Sequence, residues 1–108
     1  MRNDRERLLD IQEAIENIKK YSSRGKDAFK NEELVQTWIL HNLLTLGEAA
    51  ARISDEFQER HPEIPWFKII GTRNILVHDY FRIDIEAVWS VVENDLPVLE
   101  EQIRQLLQ

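Results

Sequence analysis

Cysteine is absent from the chain, so neither a disulfide nor a thiolate metal site can be built from it. Glycine and proline are scarce, three of each in 108 residues, and they fall between periodic segments, which is how a helical bundle reads. No stretch approaches the roughly 20 apolar residues of a membrane-spanning helix. The first residues, Met1-Arg2-Asn3-Asp4-Arg5-Glu6-Arg7, lack the apolar run of a signal peptide, and the expected location is cytoplasmic. Positive charge is also short: 14 Lys and Arg face 20 Asp and Glu, a net charge of −6, which argues against bulk attraction to nucleic acid. The deficit is uneven. Residues 1–30 carry eight Lys/Arg against six Asp/Glu, whereas residues 83–108 carry one Arg against six Asp/Glu, so a polyanion should avoid the C-terminal segment. The three histidines lack ligand-like spacing, and no metal or other cofactor is expected. With no internal repeat, linker or low-complexity run, residues 1–108 read as a single domain with one core.

What is present is helical periodicity. Asn3 with Glu6 forms a capping-box pattern, and Leu8, Ile11, Ile15 and Ile18 follow at helical spacing until Ser22-Ser23-Arg24-Gly25 stops the run. A second helix is expected from Asp27 or Asn31 to about Arg60, with Val35, Ile39, Leu43, Leu46, Ala50, Ile53 and Phe57 as its stripe. Leu34, Trp38, Leu40 and Leu44 widen that stripe and point to more than one neighbour, another subunit included. Gly47, beside Ala49 to Ala51, costs the helix about 1 kcal/mol relative to alanine, which predicts a close helix approach there. Pro62 and Pro65 make the sharpest break, and a third helix should run from about Trp66 to about Asp79. A fourth should start at Asp84, with a kink or break near Asn94-Asp95 ahead of Pro97. The fold expected is all-α, an up-and-down bundle of four to five helices.

The chemistry concentrates in Gly71-Thr72-Arg73-Asn74-Ile75-Leu76-Val77-His78-Asp79-Tyr80-Phe81. Arg73 offers a planar fork of donors suited to phosphate, His78 a proton carrier near neutral pH, Asn74 an amide and Tyr80 a phenol. Ile75, Leu76 and Val77 between them call for burial. Five residues of helix turn Arg73 and His78 about 140° apart, so one helix does not aim both at one atom. Two copies across a two-fold axis would, and two His78 side chains would supply both an acid and a base. The set suits metal-free RNA cleavage, with the 2′-OH as internal nucleophile and Arg73 opposite the charge gathering on phosphorus. Judged on spacing alone, an Arg and a His on one helix are more often structural, hydrogen-bonding at an interface. Lys68 and Arg82 are candidate RNA contacts, solvated surface charge being the alternative. His41 and Glu48 lie two turns apart on one side of the second helix, placed to assist a cleft or to bond neighbours. His61 reads as a helix-end residue, and Trp38, Trp66 and Trp89 as core rather than base-stacking aromatics.

Arg73-Asn74-Ile75-Leu76-Val77-His78-Asp79-Tyr80 resembles the Arg-polar-x3-His motif of the HEPN superfamily, and with the Tyr it is similar to the Arg-x4-His-x-Tyr motif of HepT toxins. Leu46-Gly47-Glu48-Ala49-Ala50, Pro62-Glu63-Ile64-Pro65-Trp66, Gly71 and Asn94-Asp95-Leu96-Pro97 extend the likeness along nearly the whole chain. The resemblance implies a HEPN-like homodimer with an RNA cleft at its interface and Arg73 and His78 as the catalytic pair, Asn74 supporting. It also implies a nucleotidyltransferase (MNT-type) antitoxin partner that adds AMP to Tyr80, with larger hetero-oligomers among the assemblies. A second reading keeps the partner and drops the catalysis: an interaction module that docks a nucleotidyltransferase and presents Tyr80 to it.

Overall fold

The computed structural model describes residues 2–108; Met1, at the head of the charged N-terminal run, lies outside the described residues. Every regular element among them is helical. Helix α1 spans Asp4–Ser22, α2 Lys26–Asn31, α3 Glu33–Ala51, α4 Asp55–Arg60 and α5 Trp66–His78. A 3₁₀ turn, Tyr80–Arg82, leads to α6 (Ile85–Ser90), a π-helical turn (Val91–Asp95) and α7 (Leu96–Leu107). The long rods are therefore four, α1, α3, α5 and the continuous run 85–107, with α2 and α4 as short helices between them. Among the described residues no helix is long and apolar enough to cross a membrane.

Helix α1 begins as its capping box requires. The Asn3 side chain accepts from the Glu6 N–H at 2.9 Å, and the Glu6 carboxylate accepts from the Asn3 N–H at 3.4 Å. Leu8, Ile11, Ile15 and Ile18 are buried along one stripe. The helix stops at Ser22, and Gly25 carries the chain onward at φ +96°, a left-handed conformation that glycine adopts without a Cβ penalty.

The expected second helix is three. Asp27 and Asn31 cap nothing: α2 starts after Gly25 and α3 after Glu32, neither with a side-chain cap. The first break follows from phase. Phe29 and Val35 are six residues apart, which on one continuous helix would set them about 120° apart. Extended backbone at Glu32 (φ −104°, ψ 110°) lets both turn inward, and Phe29 stacks on Trp89 at 5.5 Å between ring centroids. Lys26 and Lys30 then reach Glu86 at 2.5 and 2.8 Å, tying α2 to α6 and pulling that carboxyl down to about 2.

The second break is out of reach of periodicity, because Ala50, Ile53 and Phe57 stay in phase. Polar groups make it. Ser54 caps α4 by accepting from the Phe57 N–H at 3.2 Å. The Asp4 carboxylate accepts from the Ser54 N–H at 2.9 Å and from its hydroxyl at 2.7 Å. The Gln58 amide donates to the carbonyls of Ala50 and Ile53 where α3 ends.

Asp4 at the start of α1 thus meets the end of α3. Asn17, near the end of α1, bonds Asn42 and receives the indole N–H of Trp38 near the start of α3, so the two helices run antiparallel. Helix α3 packs on α1, α2 and α5, a central place that accounts for the width of its apolar surface. Beyond α5, Asp84 caps α6 as its position predicts, accepting from the Ala87 N–H at 3.2 Å. Pro97 does not break the last rod. The Leu96 N–H donates to the Val91 carbonyl five residues back, and this wider turn absorbs the missing N–H and the bulk of the proline ring.

The two Ser54 hydrogen bonds, side chain first, hold the Asp4 carboxyl below its ordinary value against the opposite pull of burial. A folded pKa below the unfolded one means this stabilisation is present above the ordinary carboxylate range and fades as pH falls through the folded value. Asp4→Ala should therefore cost about 1–2 kcal/mol near neutrality, the scale of hydrogen bonds to a charged acceptor. Urea denaturation of both proteins at about pH 7 and about pH 3 checks it, with a gap that narrows in acid.

Candidate active site

The site is built on the contact between α3 and α5. Gly47 faces Arg73 directly. A Cβ placed on Gly47 would overlap the Cβ of Arg73 and stand 3.0 Å from its Cγ. The close approach that a mid-helix glycine predicts is therefore here, and the side chain brought against it is the arginine of the motif.

One residue on, Glu48 takes the guanidinium. Arg73 Nε donates to Glu48 Oε1 at 2.7 Å, and Nη2 stands 2.7 Å from the same oxygen. The arginine side chain is 27% exposed and the glutamate side chain 36%, so the pair is about two-thirds shielded from water. Arg73 Nη1 donates to Asn74 Oδ1 at 2.9 Å. Asn74 thus supports Arg73 from the adjacent position, and Glu48 from a different helix. Sequence reasoning named Glu48 as a cleft residue without finding its partner. The signal was its place beside Gly47: whatever side chain the glycine admits is within reach of the next residue.

Helix α5 starts after Pro65, with Trp66 buried and its indole N–H donating to the His61 carbonyl at 3.0 Å. His61 closes α4, its ring against Phe57 at 4.5 Å and its Nδ1 3.2 Å from Glu63. Trp89 is buried too, whereas Trp38 keeps 37% of its surface exposed. His78 is the last residue of α5 and is exposed. Because Arg73 and His78 both lie within this regular helix, their angular offset of about 140° applies. The structure brings Arg73, Asn74 and Glu48 together; it leaves His78 without a hydrogen bond to any of them.

One expectation for this stretch changes, the burial of Ile75 and Val77. The helix ends at Asp79 (φ −141°, ψ 35°), as the sequence predicts, and Tyr80 opens the 3₁₀ turn beyond it, 48% exposed and edge-on to Phe81 at 5.8 Å. Ile75 and Val77 are not buried; they are 53% and 43% exposed, Phe81 is fully exposed, and only Leu76 of the three apolar residues enters the core. Lys68 and Arg82 are exposed but matched with carboxylates, Lys68 with Asp95 at 2.9 Å and Arg82 with Asp79 at 3.7 Å.

On the other side of Glu48 lies a polar cleft between α1 and α3, lined by Asn17, His41, Asn42, Thr45 and Arg52 as well as Glu48. His41 and Glu48 do share one side of α3. Asn42, the buried polar residue of the core, is satisfied there by Asn17 and by the Trp38 carbonyl. Among the described residues no group of three His, Cys, Asp or Glu side chains is placed to hold a metal ion.

The chain matches the family model for HepT-like ribonucleases over residues 11–106. It is 31% identical to a Methanocaldococcus jannaschii protein named as a putative RNase, the match covering 89% of each chain. It is 33% identical to a Thermococcus cleftensis protein named as a probable ribonuclease HepT, over 97% of this chain and 96% of that one. A putative RNase of Caldanaerobacter subterraneus is 32% identical over 94% of this chain and 88% of its own. No solved structure matches.

The two glycines of the site predict opposite outcomes. Gly47→Ala should destabilise by about 1–3 kcal/mol through overpacking on Arg73, outweighing the helix propensity gained. A Cβ on Gly71 meets nothing within 4 Å. Gly71→Ala should therefore stabilise by up to about 1 kcal/mol. Chemical denaturation of the two variants side by side measures both signs.

Proposed function

Since the chain belongs to the HepT-like ribonuclease family, we propose that it is a metal-independent endoribonuclease of the toxin type, acting as one domain and as a homodimer. The observation that carries the reading is the surface of α5. It holds Arg73 in place, presents His78 to solvent, and leaves Ile75 and Val77 exposed beside them. Exposed apolar side chains flanking chemically capable ones suit burial against a second copy of the same helix.

Such a pairing supplies what one helix aims away. In the proposed cleavage, one His78 takes the proton of the RNA 2′-OH as its oxygen bonds to the adjacent phosphorus. The bond from phosphorus to the 5′ oxygen breaks, and His78 of the second protomer protonates that leaving oxygen. Arg73 faces the negative charge that gathers on the phosphate oxygens during the exchange. The product left on one side is a 2′,3′-cyclic phosphate, on the other a free 5′-OH. Lys68 and Arg82 lie before and after the pair along the chain and are candidate contacts for flanking phosphates.

Regulation is part of the proposal. Tyr80 stands exposed two residues beyond His78, on the turn that leaves α5. AMP added there by a cognate nucleotidyltransferase antitoxin would place a bulky anion at the edge of the cleft and repel the RNA phosphate. The 3₁₀ turn supports this reading, because a tyrosine off the helix end is open to a modifying enzyme.

The purified protein should cleave RNA in the presence of a metal chelator and leave cyclic-phosphate ends. Arg73→Ala and His78→Ala should each abolish cleavage while the helical content is kept. Val77→Glu should yield monomers by light scattering and lose cleavage with the dimer. Retained cleavage in both Arg73→Ala and His78→Ala would overturn the site, and co-purification with a nucleotidyltransferase without any cleavage would favour a docking module.

A further inference from the structure

The way Arg73 is held has a consequence for how a phosphate can reach it. A guanidinium has five N–H groups. Glu48 accepts from the one on Nε, with Nη2 at ion-pair distance from the same oxygen, and Asn74 accepts from one on Nη1. Three N–H groups remain, one on Nη1 and two on Nη2, without a hydrogen-bond partner among the described residues. Glu48 thus occupies the Nε edge of the fork and leaves donors at its tip. Gly47 fixes the other end of the side chain by letting the Arg73 Cβ pack onto the α3 backbone. Base and head of the arginine are therefore both set by two consecutive residues of a different helix.

Resting on the ribonuclease reading above, we infer that Glu48 is the positioning residue of Arg73. It keeps hold of the Nε edge while RNA is bound, and the phosphate is received by the Nη donors left open. Two features favour retention over displacement. The Nε hydrogen bond to the carboxylate oxygen at 2.7 Å is charge-assisted, the strong class, and Nη2 stands at ion-pair distance from the same oxygen. Both side chains are also about two-thirds shielded from water, so releasing Glu48 would leave a carboxylate facing the incoming phosphate. A held fork also has little orientational freedom to lose when phosphate arrives, which acts on the rate of the chemical step more than on ground-state affinity.

The test compares Glu48→Ala and Glu48→Gln with the intact protein, using a defined RNA oligonucleotide for cleavage and the ¹H–¹⁵N signal of Arg73 Nε for geometry. Glu48→Ala should lower kcat by roughly 100-fold and change KM by no more than about 3-fold. Glu48→Gln keeps an acceptor oxygen and should recover most of that loss. The Nε signal should be protected from exchange in the intact protein, lost in Glu48→Ala and kept in Glu48→Gln. In the His78→Ala background with RNA bound, the signal should stay protected. A faster Glu48→Ala enzyme would mean that Glu48 is a clamp the substrate must open. Activity lost only in proportion to the folded fraction would mean a structural pair. Either result, or an Nε signal released on RNA binding, overturns the inference. Failure of the ribonuclease reading looks different: the intact protein cleaves no RNA while the Nε signal still responds to Glu48.

Discussion

The contact of Gly47 with Arg73 sets the distance between α3 and α5, and the other features of the site hang from it. The stem of Arg73 runs over α3 backbone because no side chain stands in the way. From that position the guanidinium reaches Glu48 on the same helix, and Asn74 closes on it from α5. Leu76, three residues on from Arg73, goes into the core, and one turn of α5 is thereby fixed in rotation. That rotation decides the exposed set: His78, Ile75 and Val77 stand outside because Arg73 and Leu76 stand inside.

Helix α3 can impose this geometry because it is fixed from several sides. The Asp4–Ser54 contact joins its end to the start of α1, and Asn17 with Trp38 and Asn42 joins its start to the end of α1. Polar groups do the joining, yet each is satisfied, so none weakens the apolar packing between them. A helix pinned at both ends is a rigid support, which the proposed meeting of Arg73 with a phosphate within a fraction of an ångström requires.

What was legible in the sequence follows from what periodicity records. The all-α class, the start of α1 at its capping box, the stop at Ser22, the start of α5 after Pro65 and the Asp84 cap are all local signals, and each stands where its residues put it. The split of the second helix was not legible. Ala50, Ile53 and Phe57 keep helical phase across the second break, and its cause, Asp4, lies 50 residues away. The first break had a trace in the phase slip between Phe29 and Val35. At the site, the mid-helix glycine foretold a close approach without naming what approaches, so Glu48, read as a cleft residue, stayed without its partner.

The charge pattern of the motif region bears on how an acidic chain would select an RNA phosphate. Each Lys and Arg from Trp66 to Arg82 has a carboxylate: Lys68 has Asp95, Arg73 has Glu48 and Arg82 has Asp79. With the whole chain at −6, little unmatched positive field remains to attract a polyanion from a distance. The three pairs are not equal, however. Exposed pairs such as those of Lys68 and Arg82 are worth about 0–1 kcal/mol, so either cation can leave its carboxylate for a phosphate at small cost. The Arg73 pair is about two-thirds shielded and joined by a charge-assisted hydrogen bond, and hydrogen bonds to charged groups are worth about 1.5–3 kcal/mol. On the proposed reading the flanking cations are thus free to adapt to a passing strand, while the central one stays where Glu48 holds it. A surface of this kind discriminates by shape at one phosphate rather than by charge over many, and its affinity for RNA should depend less steeply on salt than that of a basic groove.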